Sequence, residues 1–294
     1  MTKKTLLIGT IIVFILCISL PFNSVHAQIG QQDFLIQNTQ GILSKDDGPV
    51  EYRAVLVAIN TYDIYTLPYS VKQLENFKIT LLNSGNWEES NINTIINTRA
   101  TKNAIKSELS EIEQVTDDND VTLFYFIGHG GKNKTNEYIL TYDEQLYDVE
   151  LAEYVYNISG KLICVFDSCY SGGMIKELKQ SGRIIISASA ADEPAYQVGE
   201  LKSGLFGYFF NLSLSRFSKQ TEHAFYLSKI FTFYYIFNLN KELDEPIRMR
   251  PQMYDGIFGP TRILRMFTFS NQFKELPNIL FNHKTNNKIW EANS

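Results

Sequence analysis

The sequence predicts an α/β protein, a mostly parallel sheet flanked by helices on both faces. Three observations carry this. Several runs are apolar at successive positions rather than alternate ones, as strands buried on both faces are. Segments with helical spacing fall between most of these runs, the order that a parallel sheet needs. The 294 residues are 44% hydrophobic with 17 Tyr and 20 Phe, enough for a sizeable core that favours strands.

In chain order, "YRAVLVAIN" (52–60) is a continuous apolar run with β-branched members, read as a buried strand. "SVKQLENFKITLLNSG" (70–85) spaces Val71, Leu74, Phe77 and Leu81 at helical intervals and stops at Gly85. "NINTIIN" (91–97) is a short second strand. "RATKNAIKSELSEIEQV" (99–115) offers Thr101 as an N-cap and puts Ile105, Leu109 and Ile112 on one face. "DVTLFYFIG" (120–128), "GKLICVFD" (160–167) and "GRIIISAS" (182–189) are three further strands, and 204–240 is helical and aromatic-rich. The tail from Thr268 is polar and reads as peripheral. There is no internal repeat.

The N-terminus is a separate object. "MTKK" supplies positive charge, "LLIGTIIVFILCISLPF" an apolar run, and "VHA" a small-residue cleavage pattern before Gln28. These features predict a secretory signal peptide over 1–27 and hence a secreted or cell-surface protein, with an uncleaved membrane anchor as the alternative. Residues 28–50 lack periodicity and read as a linker or pro-segment. Cleavage after Ala27 removes two lysines and no acid, taking the formal charge from −5 to −7. With no dense basic tract, nucleic acid is not the expected partner.

Export bears on the thiols, because paired cysteines outside the cytosol usually form disulfides. Cys164 and Cys169 lie across one strand and its end, about 16 Å apart if extended, which is beyond disulfide reach. At least one is expected to be free, and reactivity is a reason for that. Cys164, mid-strand, reads as a core residue. Cys169 lies past the apolar run in "DSCYSGG". Ligands of such sheets gather beyond the carboxyl ends of the strands, and "GHGG" (128–131) ends another strand in the same manner.

A cysteine attacks as thiolate, and a nearby imidazole takes up and returns the proton. His129 and Cys169 overhang the same sheet edge if their strands are neighbours. The glycines allow sharp turns, and the Gly130 N–H together with the Cys169 N–H would form an oxyanion hole.

In order and spacing, "YRAVLVAIN", "ATKNAIKSEL", "DVTLFYFIGHGG" and "KLICVFDSCYSGG" resemble the caspase-fold cysteine peptidases, above all metacaspases and prokaryotic caspase-domain proteins, with legumains and the gingipain/clostripain group more distant. The likeness covers about residues 50–260. It implies a peptidase domain over 51–260, a C-terminal extension over 261–294, and a Cys169/His129 dyad cleaving protein or peptide substrates. Asp167, two before the cysteine, would line the pocket for the residue preceding the cut and select Arg or Lys. Ser187 and Ser189 in "IIISASAADEPAYQ" would bind substrate backbone, and "RPQMYDG" (250–256) resembles the closing strand.

One departure stands out. Metacaspases often carry a second pocket acid early in the first helix, where this chain has Lys72-Gln73, so legumain-like Asn or Asp specificity stays open. No cofactor or metal is expected. Calcium activation through Asp143, Glu144 and Asp148 is the exception considered, although their spacing is not that of an EF-hand. Self-cleavage would fall in "KELKQSGR" (176–183) or "SRFSKQTEH" (215–223). Two rivals remain: a hydrolase using His223 or His283 after Cys169, and a caspase-like binding module without catalysis.

Overall fold

The computed structural model describes residues 48–62, 65–266 and 289–291. The expected signal peptide, residues 28–47 of the linker, and His283 lie outside them. The described residues belong to one unit spanning Ser44–Ser294.

The chain forms β1 (Tyr52–Ala58), α1 (Ser70–Leu82), β2 (Ile92–Ile96), α2 (Lys102–Val115) and β3 (Val121–Ile127). A small meander follows: β4 (Gly130–Lys132), β5 (Glu137–Leu140) and β6 (Gln145–Tyr147). Then come α3 (Asp148–Val155), β7 (Lys161–Asp167), the single turn α4 (Ile175–Leu178) and β8 (Arg183–Ser187). The chain continues through β9 (Tyr196–Val198), β10 (Ser203–Gly204), α5 (Leu205–Arg216), α6 (Thr221–Leu239), β11 (Gln252–Asp255) and β12 (Ile289–Glu291).

The central sheet has the order β11-β8-β7-β3-β1-β2. All pairs are parallel except β11 with β8. Alternation along each strand divides the core into two layers. Leu123, Tyr125 and Ile127 of β3 pack with Leu74, Phe77 and Leu81 of α1 and with the aromatic side chains of α5 and α6. Phe124 and Phe126 face the other way, onto Ile105, Leu109 and Ile112 of α2 and Leu151 of α3. The helical spacings therefore mark the buried stripes. Thr101 caps α2 as expected, its hydroxyl accepting the Ala104 N–H at 3.1 Å.

Two features differ from the sequence expectation. The 204–240 segment is two helices, broken where Ser218 turns its N–H back to the Ser213 carbonyl and its hydroxyl to the Gln220 N–H. The tail also contributes a strand, β12, which pairs antiparallel with β9. Residues just past 260 stay with the core: Ile263 and Leu264 are buried, and the Ile263 carbonyl accepts the Trp87 indole N–H at 2.8 Å.

Candidate active site

Strand register builds the site. β3 and β7 are adjacent and parallel, with Ile127 opposite Asp167. His129 and Cys169 each lie two residues beyond that shared rung, so both leave the sheet at its carboxyl edge from neighbouring strands. The backbones close on each other there: a methyl on Gly130 would sit 2.5 Å from the Cys169 carbonyl oxygen and 2.7 Å from Ser168 Oγ. Only glycine permits that approach.

The loop after β1 ends at the same edge and supplies a residue that the sequence reading missed. Tyr62 Oη accepts the His129 backbone N–H at 3.0 Å and donates to the Leu140 carbonyl at 3.0 Å. Its ring packs on the imidazole at 4.5 Å between centroids, and Tyr65 approaches the same imidazole edge-on at 6.3 Å. Burial holds the Tyr62 phenol neutral, well above its ordinary range. Gly128 is the local signal for this contact, since a side chain there would collide with the Tyr62 hydroxyl.

Cys169 Sγ accepts the Ala195 N–H at 3.0 Å and lies 3.5 Å from the Ala195 carbonyl oxygen. An N–H aimed at sulfur is a contact that strengthens when the sulfur carries charge. Tyr170, the next residue, is held in the left-handed region at φ 58°, and its N–H donates to the Glu193 carbonyl at 2.9 Å. Such a conformation persists only where its surroundings enforce it. Glu193 is itself anchored: its carboxylate accepts the Arg250 N–H at 2.7 Å and Nε at 2.5 Å. The 188–195 loop thus lies over the turn that carries Cys169, and Cys169 and His129 are only 1% and 2% exposed. Cys164 is fully buried mid-strand, its thiol pushed up to about 12 by burial, and is chemically quiet. Both cysteines are free thiols.

Asp167 sits on the α1/α5 side of the sheet. Its Oδ2 accepts Gln73 Nε2 at 2.6 Å and the Gly207 N–H at 3.0 Å. Gln73 also donates to Tyr125 Oη at 2.8 Å and accepts the Gly204 N–H at 2.6 Å. Burial raises the Asp167 carboxyl to about 6, and the hydrogen bonds from Gln73 and Gly207 oppose that rise. The α1 position that lacks the second acid therefore meets Asp167 directly, as a neutral amide. Ser187 and Ser189 are fully buried. Ser187 Oγ donates to the Ser189 carbonyl at 3.0 Å, and Ser189 Oγ to the Ser168 carbonyl at 3.2 Å. The Ser189 hydroxyl thereby ties the turn that carries Cys169 to the segment after β8, and the Ser187 hydroxyl braces that segment.

The three acids considered for calcium are each held in other contacts. Asp143 Oδ1 accepts the Lys102 N–H at 2.9 Å, and Glu144 pairs with Lys102 Nζ at 3.4 Å. Asp148, the first residue of α3, instead accepts the Val149 N–H at 2.9 Å. Among the described residues, no three His, Cys, Asp or Glu side chains are grouped to hold a metal ion. His223 is exposed on α6. The two segments considered for processing are the end of α4 with the loop after it, and the α5–α6 connection with the helix ends beside it.

Residues 86–245, more than half of the chain, match the peptidase C13 family. No curated protein matches the sequence. Among solved structures, the crystal structure of a Geobacter sulfurreducens protein superposes with a TM-score of 0.51 at 11% identity, covering 75% of this chain and 98% of that one. At that identity the likeness concerns the fold alone.

Proposed function

The chain belongs to the peptidase C13 family, and on that premise we propose that it is an exported cysteine endopeptidase with Cys169 as nucleophile and His129 as its proton partner. One observation carries this reading: the register that brings His129 and Cys169 past a common rung of adjacent strands, with the Gly130 backbone against Cys169. The Cys169 sulfur attacks the scissile carbonyl, and the Gly130 and Cys169 N–H groups hold the oxyanion. His129 protonates the departing amine, leaving an acyl-enzyme thioester. Water, deprotonated by His129, then attacks the thioester, the C–S bond breaks, the acid product departs, and His129 returns the proton to the Cys169 sulfur. These steps ask for no cofactor.

Asp167 is proposed to set specificity. Its carboxylate supports Arg or Lys before the cut. A legumain-type preference for Asn or Asp is a second reading, favoured by the family and by Gln73, which makes this corner half amide. The test is a peptide panel carrying Arg, Lys, Asn, Asp or Ala before the cut, assayed at pH 5 and pH 8 beside Cys169→Ala. The dyad is common to all substrates, so their ratios isolate the pocket. With its carboxyl near 6, Asp167 is mostly protonated at pH 5 and ionised at pH 8. Preference for Arg over Asn that grows toward pH 8 is expected for ion pairing. Preference for Asn at both values assigns the second reading. Turnover undiminished in Cys169→Ala overturns the dyad, and silence across the panel leaves the binding module ahead.

A further inference from the structure

The loop after β1 leaves one aromatic ring open to solvent beside His129. Asn60 fixes the base of this loop. Its carbonyl accepts the Leu67 N–H, its own N–H donates to Asn97 Oδ1, and its Oδ1 accepts the Val71 N–H, each at 2.8 Å. Thr61 and Thr66 pair antiparallel across the loop, and Leu67 is fully buried. Tyr62 and Tyr65 are thereby held at the sheet's carboxyl edge, and both meet the His129 imidazole. They differ in what is left of them. Tyr62 packs on the imidazole and commits its hydroxyl to the His129 N–H and the Leu140 carbonyl. Tyr65 is 59% exposed, with its ring 6.3 Å from the imidazole between centroids.

Sheet order gives that ring a direction. β7, β3 and β1 are consecutive parallel strands, so Cys169, His129 and Tyr65 follow their carboxyl ends in that order. Neighbouring strands lie about 4.8 Å apart, so the three ends span roughly 10 Å, about three residues of extended peptide. In the reaction proposed above, the carbonyl carbon becomes bonded to the Cys169 sulfur and the departing amine takes its proton from His129. The peptide after the cut therefore lies on the His129 side of the sulfur, the side on which Tyr65 stands open. We infer that Tyr65 is a wall of the pocket for the first residue after the cut, and that this pocket favours an aromatic side chain. This rests on the peptidase reading. Aromatic rings pair edge-to-face or offset at about 4.5–7 Å between centroids, and one such pair corresponds to about two- to tenfold in affinity. Tyr65 stands within that range of one ring, the imidazole, and most of its surface is free for a second.

The test compares the full chain as wild type, Tyr65→Phe and Tyr65→Ala. The peptides share the best panel residue before the cut and carry Gly, Leu or Phe after it. Their acyl parts are identical, so differences in kcat/KM report the leaving side. Wild type and Tyr65→Phe should favour Phe over Gly about fivefold, and Tyr65→Ala should bring that ratio close to one. A substitution that merely loosened His129 slows all three peptides alike and leaves the ratio in place. Where the protein cleaves, this ratio decides. A Phe-to-Gly ratio unchanged in Tyr65→Ala, or a Tyr65-dependent gain for Leu as large as that for Phe, overturns the inference. Binding is read apart from turnover, with Phe-Ala-Lys-NH2 carrying fluorescein on its lysine, titrated by anisotropy into the Cys169→Ala form of each variant. No cleavage by any form, with binding about fivefold weaker in Tyr65→Ala, keeps the pocket and sinks the peptidase reading. No cleavage, with binding that is absent or indifferent to Tyr65, sinks both.

Discussion

Tyr62 shows how much of the site rests on one hydroxyl. It takes the His129 N–H and gives its proton to the Leu140 carbonyl, bridging the end of β3 to β5 while its ring lies against the imidazole. Tyr62→Phe keeps the ring and strips both bonds from buried backbone, which costs about 1–3 kcal/mol. Because the loss falls on the residue that carries the imidazole, kcat/KM should drop on the order of tenfold. Thermal unfolding and steady-state kinetics measured together check this. A variant that loses stability but keeps wild-type turnover would show that the hydroxyl braces the fold and does not position His129. Residue chemistry also separates the two free thiols, since Cys164 is locked in the core and Cys169 sits where a loop N–H can reach its sulfur.

At the scale of elements, the contact of α5 with α1 and β7 builds the corner around Asp167. Gly207, in the first turn of α5, lies so close to this corner that an added methyl would fall within the Gln73 amide and 2.5 Å from Asp167 Oδ2. Alanine is the better helix former by about 1 kcal/mol. The overlap opposes that gain with roughly 1–3 kcal/mol, and Gln73 cannot swing away without losing its bonds to Tyr125, Asp167 and Gly204. Gly207→Ala should therefore lower the urea midpoint and blunt discrimination among panel substrates. A more stable Gly207→Ala protein would mean that α5 is free to shift. The same reasoning explains why Asp167 faces α1: Ile163, Val165 and Asp167 alternate along β7 toward one layer, and the helix packed there brings Gln73.

For the molecule as a whole, burying one carboxyl links stability to pH. The Asp167 carboxyl is raised from 3.8 to about 6 in the folded chain, so the native state holds this proton more tightly than the unfolded state does. Its contribution is fully present below about pH 4 and is lost as pH rises through about 6. The difference amounts to about 3 kcal/mol between the two ends. Asp167→Asn keeps an oxygen to accept from Gln73 and Gly207 and has no charge to bury. The variant should gain on the wild type from pH 4 to pH 7 in urea unfolding, while losing any preference for Arg. A wild-type minus variant difference that is flat with pH would show that this carboxyl is ionised in the fold without penalty.

The sequence by itself determined the sheet, its helices and the two strand ends that carry His129 and Cys169. Those signals are local: uninterrupted apolar runs mark strands covered on both faces, helical spacing marks the buried stripes of α1 and α2, and small or reactive residues at a strand's end are legible one after another. It also marked position 73 as lacking an acid, without telling what the amide there touches. Only the tertiary structure decided that Tyr62 braces His129, that Gln73 meets Asp167 across 94 positions, that the 188–195 loop covers the sulfur, and that a strand from a polar tail lies on β9. These contacts join segments far apart in the chain whose own patterns are those of ordinary loops, helices and tails. Their pairing is set by which elements the sheet order makes neighbours, and no local periodicity encodes that.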